Sequence, residues 1–413
     1  MMEIVAEEQN TKSDAAPKLP STETMLKNMK LRRILKENHT SPIYGIAFNK
    51  IGHHKNLVGT VGKNQANIYD NLHVGENFDL MCNYVNIKTD YTDGGNLNVC
   101  VWLDSKSITD SLLAVAGDSR DINVISVQDS RVKYLLKGHT ASIVALCPLK
   151  RSEKNEYCNL VSASKDSFIC VWNVEEEKCF YKAECTAPTS IAAHPTLSNT
   201  LFSANVNGEV HLWTVDVGLR NSNNAGKAVK KKRKLQKMTK NASPQYPKTI
   251  THGGVLGCSA KGIEINQLIA TERQLSTSNT FTILVSKTIR GQIDVFDVNA
   301  ETLEAGVSKD RMTTFKLEDD TGLCMMDVTS DGEYVCGGDD DGTVFVKHIL
   351  SGKLIAELEY HRIKGQIQDI AISTNSKYIL FTTEYGLIFR FDFDREQAAL
   401  DVAPEKKIAD IAN

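Results

Sequence analysis

The sequence predicts an all-β fold, a seven-bladed WD-repeat β-propeller, and three observations predict it. Residues 138–174 read as one complete blade, and six weaker copies of the same pattern flank it. The residues that close the copies, at 69, 125, 172, 213, 296, 346 and 391, are separated by 56, 47, 41, 83, 50 and 45 positions. These are propeller periods of ~40–50 residues plus insertions.

The complete copy is GHTASIVALCPLKRSEKNEYCNLVSASKDSFICVWNV. Gly138-His139 opens it, Ser162 and Ser164 lie in one strand, Asp166 in a turn, and Trp172-Asn173 closes it. Four antiparallel strands with Gly-His at the start and Trp-Asp or its equivalent at the end make a WD blade. The residue types follow from burial of a polar chain. The histidine bonds the turn aspartate and the strand serine, and the serine reaches the indole N–H; each alone is costly to bury, and together they satisfy one another.

The weaker copies fall in order on either side. Blade 1 runs over 38–70, with His39 opening, Asn64 in the turn and Tyr69 in the tryptophan place. Blade 2 covers 97–127 and closes near Ile125; blade 4 covers 189–215, with Asn207-Gly208 in the turn and Trp213. Blade 5 reads as split, GVLGCSAKGIEIN followed by FTILVSKTIRGQIDVFDV, closing at Phe296-Asp297. Blade 6 is GLCMMDVTSDGEYVCGGDDDGTVFVKHI, and blade 7 closes at Phe391-Asp392. The 83-residue gap holds GLRNSNNAG and a basic run, which cannot supply four strands, so the count stays at seven. Residues 1–27 are polar and read as a disordered tail. The propeller is expected over 28–395, with a basic insert at 218–249 between blades 4 and 5 and a tail at 396–413. KLRRILKENH is expected to pair as a strand into the last blade, closing the ring and removing its exposed edges.

Bulk properties exclude several classes. No apolar run approaches the ~18–20 residues that span a membrane, so no membrane role is expected. The first residues are acidic, with no basic stretch leading into an apolar core, so no secretory signal is expected. Ten cysteines are scattered without a CxxC pair, several inside apolar runs such as SFICVW. They read as reduced core residues of an intracellular protein. The histidines show no HxxxH or HExxH spacing, and no GxSxG, P-loop or GxGxxG occurs, so no metal, cofactor or catalytic set is expected. Asp339-Asp340-Asp341-Gly342 lacks the alternation and terminal glutamate of a calcium loop and reads as a blade turn. The net charge is −3, but KAVKKKRKLQKMTK contains no acidic residue. Lys230, Lys231, Lys232, Arg233 and Lys234 fit a nuclear localisation signal. Contact with nucleic-acid phosphates is the second reading, and a solvated loop the third.

NHTSPIYGIAFN, LVGTVGKNQANIYD, LLAVAGDSRDINVI, LKGHTASIVAL and LVSASKDSFICVWNV resemble, in order and spacing, the first three blades of the Eed or extra sex combs family. IKGQIQDIAISTNSKYILFTTEYGLIFRFDF resembles that family's last blade. The likeness covers about 30–217 and 320–394 and is weak from 218 to 319. It implies a non-catalytic, nuclear subunit of a Polycomb repressive complex, needed for histone H3 lysine methylation and transcriptional repression. The implied partners are an Enhancer-of-zeste-type SET-domain methyltransferase, held across one face, and other Polycomb subunits. The implied ligand of the opposite face is a trimethyl-lysine histone H3 tail in an aromatic cage, since a quaternary ammonium has no N–H to donate and is held by cation–π attraction.

That last implication transfers only in part. Tyr44 matches one cage aromatic, but the others align with Asn98 and with Cys324-Met325. One ring is not a cage, and Tyr91, just upstream of Asn98, is the weaker candidate to assist it. The expectation is a scaffold whose methyl-lysine reading is weakened or lost. The competing class is another nuclear WD-repeat adaptor, of the origin-associated or ribosome-assembly type, and the copurifying partner discriminates the two.

Overall fold

The structure is a computed structural model and describes residues 20–37, 42–75, 77–86, 95–149, 159–215, 250–258, 262–274, 280–304, 311–318, 324–359 and 365–396. Its strands form seven four-stranded antiparallel sheets. Blade 1 comprises β2 (Gly45–Phe48), β3 (Leu57–Gly62), β4 (Gln65–His73) and β5 (Asn77–Val85). Blade 2 comprises β6 (Leu97–Leu103), β7 (Leu112–Gly117), β8 (Ile122–Ser126) and β9 (Arg131–Leu136). Blade 3 has β10 (Ile143–Pro148), β11 (Leu160–Ser164), β12 (Phe168–Asn173) and β13 (Lys178–Glu184). Blade 4 has β14 (Pro188–Ala193), β15 (Thr200–Asn205), β16 (Glu209–Val215) and β17 (Ile250–Cys258). Blade 5 has β18 (Ile265–Gln274), β19 (Thr280–Thr288), β20 (Gln292–Asp297) and β21 (Arg311–Lys316). Blade 6 has β22 (Met326–Val328), β23 (Tyr334–Gly338), β24 (Val344–His348) and β25 (Leu354–Leu358). Blade 7 takes β26 (Ile367–Ile372), β27 (Tyr378–Thr383) and β28 (Leu387–Phe393), completed by β1 (Met29–Lys36).

The first strands neighbour one another in sequence, and β26 neighbours β2, so the ring is closed. The expected closing strand is therefore in place: Met29 pairs with Phe393 and Lys36 with Leu387. Blades pack face to face, which buries their second strands on both sides. That is why LVGTVG, LLAVAG and LVSAS are continuous apolar or small runs rather than alternating ones. Each of the seven seams has its own apolar cluster; Leu112, Ala114 and Val124 of blade 2, for example, meet Ile143, Leu160 and Trp172 of blade 3. At these seams a side chain in place of glycine has no room. A Cβ on Gly338 would lie 2.6 Å from Ile367 of the next blade.

A recurring polar stitch joins the first strands. The backbone N–H of Leu268 donates to Ser190 at 3.0 Å, that of Ile372 to Asp327 at 2.7 Å, and that of Ile46 to Asp369 at 2.8 Å. The N–H of Met326 donates likewise to Gln267. The expected buried chain of blade 3 is present: His139 contacts Asp166 at 2.9 Å and Ser162 at 2.7 Å, and Trp172 donates to Ser162 at 2.7 Å. In blade 4 Trp213 donates to Ser203 at 2.8 Å, and Cys185 stands near that hydroxyl at 3.4 Å. Blade 1 uses Glu37 instead, which accepts from Thr60 at 2.6 Å and from Tyr69 at 2.8 Å. His39, expected to open that blade, lies outside the described residues.

Three expectations are corrected. GVLGC is not the start of blade 5; it lies in β17, which pairs with β16 as the outermost strand of blade 4. Blade 5 begins at Ile265. The insert consequently does not separate blades 4 and 5 but joins the third and fourth strands of blade 4. Ordered structure also begins before residue 28. Ser21 caps a short helix α1 (Thr22–Lys27), accepting the Thr24 N–H, and Leu26 is fully buried against blades 6 and 7. The apolar pair Met25-Leu26 that anchors TETMLK is hidden in the sequence by its polar flanks. No described helix is long and apolar enough to cross a membrane.

Candidate functional site at the channel mouth

The first strands surround a channel of about 810 Å³. Each runs away from the upper mouth, where the turns between second and third strands also gather. Tyr44 immediately precedes β2, Asn98 is the second residue of β6, and Met325 immediately precedes β22, so all three arrive at that mouth and line the channel. Tyr44 is 40% exposed, and its N–H donates to Val61 at 2.8 Å, fixing the backbone that presents the ring. Gly45 lets blades 1 and 2 approach here: a Cβ on it would stand 3.5 Å from the Asn98 carbonyl oxygen and 2.9 Å from Val61.

The wall beside Tyr44, on the blade 2 side, is polar. Asp118 accepts from Ser142 at 2.8 Å, from Asn96 at 3.1 Å and from Asn98 at 3.4 Å. An ionised carboxylate only accepts, so the Asn98 amide turns its nitrogen toward Asp118. On the blade 6 side, Met325 donates its N–H to the Gln368 carbonyl at 3.0 Å, and Gln366 donates to Asp340 at 2.7 Å. Cys324 does not reach the channel. It is 1% exposed, its sulfur accepts the Gly338 N–H at 3.3 Å, and burial pushes its thiol up to about 12. Of the aligned positions, the structure thus brings Tyr44, Asn98 and Met325 together and leaves Cys324 in the core. Tyr91 and Lys230, Lys231, Lys232, Arg233 and Lys234 lie outside the described residues.

Lower in the channel, Lys50 of blade 1 reaches Asp327 of blade 6 at 2.7 Å, bridging past blade 7. Asp369 faces the same interior; burial raises its carboxyl to about 8, against the opposing N–H bonds from Ile46 and Ile370, with Asp327 adding to the rise. Burial likewise draws Lys287 of blade 5 down to about 8. Sequence reasoning missed both, because a single aspartate or lysine in an apolar strand carries no spacing signal. No group of three metal-ligating side chains occurs among the described residues. The eight cysteines described there are free thiols.

Comparison with known proteins fits this architecture. A WD domain, G-beta repeat pattern matches residues 130–173. Polycomb group protein FIE1 of Zea mays is 28% identical over 43% of this chain and 38% of its own length. Polycomb protein esc of Drosophila melanogaster is 29% identical over 35% and 32%, respectively. The chain is an esc-like WD-repeat protein. Its WD repeats are also similar to autophagy-related protein 16 of Arabidopsis thaliana, 29% identical over 34% of this chain and 26% of that protein. The chain matches about a third of the length of these curated relatives. A WD propeller with similarity to esc and FIE proteins is typical of non-catalytic scaffolds.

Proposed function

We propose that the chain is a non-catalytic scaffold subunit of a Polycomb-type histone H3 lysine methyltransferase complex, acting in the nucleus in transcriptional repression, with methyl-lysine reading weakened or lost. The observation that carries the reading is the channel mouth. It has the esc-like blade order around it, yet of the three aligned positions that line it only Tyr44 is a ring, beside an amide held by Asp118 and a methionine. Amide and carboxylate groups recognise N–H donors, whereas a quaternary ammonium requires aromatic faces. The closed ring and its seven seams suit a platform, and the similarity to proteins named Polycomb esc and FIE supports a Polycomb-type complex.

The partner under this reading is an Enhancer-of-zeste-type SET-domain subunit. Purified alone, the chain is expected to methylate nothing; added to that subunit, it is expected to raise histone H3 methylation. Affinity purification from cells followed by mass spectrometry checks the complex. Recovery of replication, ribosome-assembly or autophagy proteins without a SET-domain subunit, or an unchanged histone mark after deletion of the chain, would sink the assignment.

A further inference from the structure

Away from the channel, β1 carries a concentration of positive charge that no other outermost strand matches. Four of its eight residues, Lys30, Arg32, Arg33 and Lys36, are basic, and none is acidic. All four are exposed, and β1 is the outermost strand of blade 7, so one of its edges is unpaired. Charge on an edge strand has a plain role, which is to prevent edge-to-edge association. The other six outermost strands show how little charge that role needs. β9 and β21 carry two basic residues each, and β13 carries two with a glutamate; β5, β17 and β25 carry no lysine or arginine. β1 has twice the largest of these numbers.

Nor does the protein neutralise the excess. Lys30 and Arg32 share one carboxylate, Asp394, at 3.4 and 3.2 Å. Arg33 bonds the neutral Asn77 at 2.9 Å, and Lys36 has no acidic partner among the described residues. Four cations against one carboxylate leave a local excess of three positive charges on a chain whose net charge is −3.

We infer that β1 is a docking edge for the phosphate backbone of duplex DNA. From Lys30 to Lys36 the strand extends about 20 Å, which matches the rise of about six nucleotides along one strand of a duplex. The donors are long, flexible side chains strung along an edge, with a bulge between Leu31 and Arg33, rather than groups converging on a pocket, an arrangement that positions phosphates without reading bases. An acidic protein partner would need a buried apolar or aromatic anchor at the centre of the contact, and Ile34 is the single strongly exposed apolar residue that β1 offers. The inference goes beyond the scaffold reading and does not depend on it, because it concerns the free chain and DNA alone.

The test is fluorescence anisotropy of the full chain with labelled duplex DNA of random sequence, between 50 and 200 mM salt. Four phosphate contacts give a slope of log affinity against log salt of about −3.6, an affinity loss of about 100-fold over that range. Changing Lys30, Arg32, Arg33 and Lys36 to Gln should flatten the slope by three to four. Arg33→Gln with Lys36→Gln, which leaves the Asp394 pair untouched, should flatten it by about two and guards against misfolding of the fuller variant. Gln substitutions at Lys230, Lys231, Lys232, Arg233 and Lys234 should leave the β1 share of the slope in place. No DNA binding by the natural chain, an unchanged slope in both β1 variants, or displacement by polyglutamate but not by unlabelled DNA would overturn the inference.

Discussion

Replacing Asn98 and Met325 by tyrosine puts the polar channel mouth to a direct test. Each aromatic wall facing a desolvated quaternary ammonium contributes about 0.5–2 kcal/mol. Of the aligned positions the chain retains one such wall, Tyr44, and at 40% exposure it acts at the weak end of that range. The missing walls together amount to several kcal/mol, about two to three decades of affinity. A trimethyl-lysine histone H3 peptide is therefore expected to bind the natural chain at best in the millimolar range, with little preference over the unmethylated peptide. The double variant Asn98→Tyr, Met325→Tyr should recover about tenfold for the methylated peptide alone. Cys324 is left unchanged, because it is 1% exposed and its sulfur accepts the Gly338 N–H, so a tryptophan there would overfill the blade 6 core rather than face the channel. Calorimetric titration of both peptides decides the matter. A micromolar, methyl-dependent constant for the natural chain would refute the reasoning and show that other aromatics, Tyr91 first among them, complete a cage.

Three further outcomes are expected. Ser162→Ala strands both the Trp172 N–H and the His139 ring nitrogen, whereas Ser203→Ala strands chiefly the Trp213 N–H. At about 1–3 kcal/mol per orphaned buried group, hydrogen exchange should show blade 3 loosened more by the first change than blade 4 by the second, and equal effects would contradict the accounting. Asp369 has its folded value raised to about 8, far above the ordinary carboxylate value of about 3.9. The proton that the native state retains stabilises it fully below about 3.9, and that effect is lost as pH rises from there through about 8. The melting temperature should fall more steeply between pH 5 and 8 in the natural chain than in Asp369→Asn, and parallel curves would dismiss the shift. Finally, Ala at Lys230, Lys231, Lys232, Arg233 and Lys234 should move the protein to the cytoplasm without altering its melting temperature; persistent nuclear accumulation would mean import on a partner.

The blades were legible wherever a third strand ends in a ring or a branched residue that fills a seam. Tyr69, Ile125, Trp172, Trp213, Phe296, Val346 and Phe391 are all buried there. Fourth strands carry no such demand: they are more exposed and tolerate almost any residue, so GVLGC, the second half of β17, reads as part of the wrong blade once a long insert separates it from β16. Glu37 was invisible for a related reason, since its bonds to Thr60 and Tyr69 join residues 23 and 32 positions away and leave no local pattern. Tyr44, Asn98 and Met325 come together at the channel mouth, but the sequence could not orient Cys324. Neighbouring positions in extended chain point to opposite sides, and only the packing shows which one faces the core.

The pairing of β1 with β28 has a temporal meaning during synthesis. The bond between Lys30 and Asp394 spans 364 residues, so the outer strand of the seventh blade leaves the ribosome well before the three strands it completes. Bringing such distant segments together carries a chain-entropy penalty of about 5 kcal/mol, which the seam between blades 7 and 1 helps to offset through Arg390 with the Asn71 carbonyl and Asp369 with Ile46. Six blades can accumulate in order as the chain emerges, but the seventh is completed only when its other three strands meet a strand made long before them.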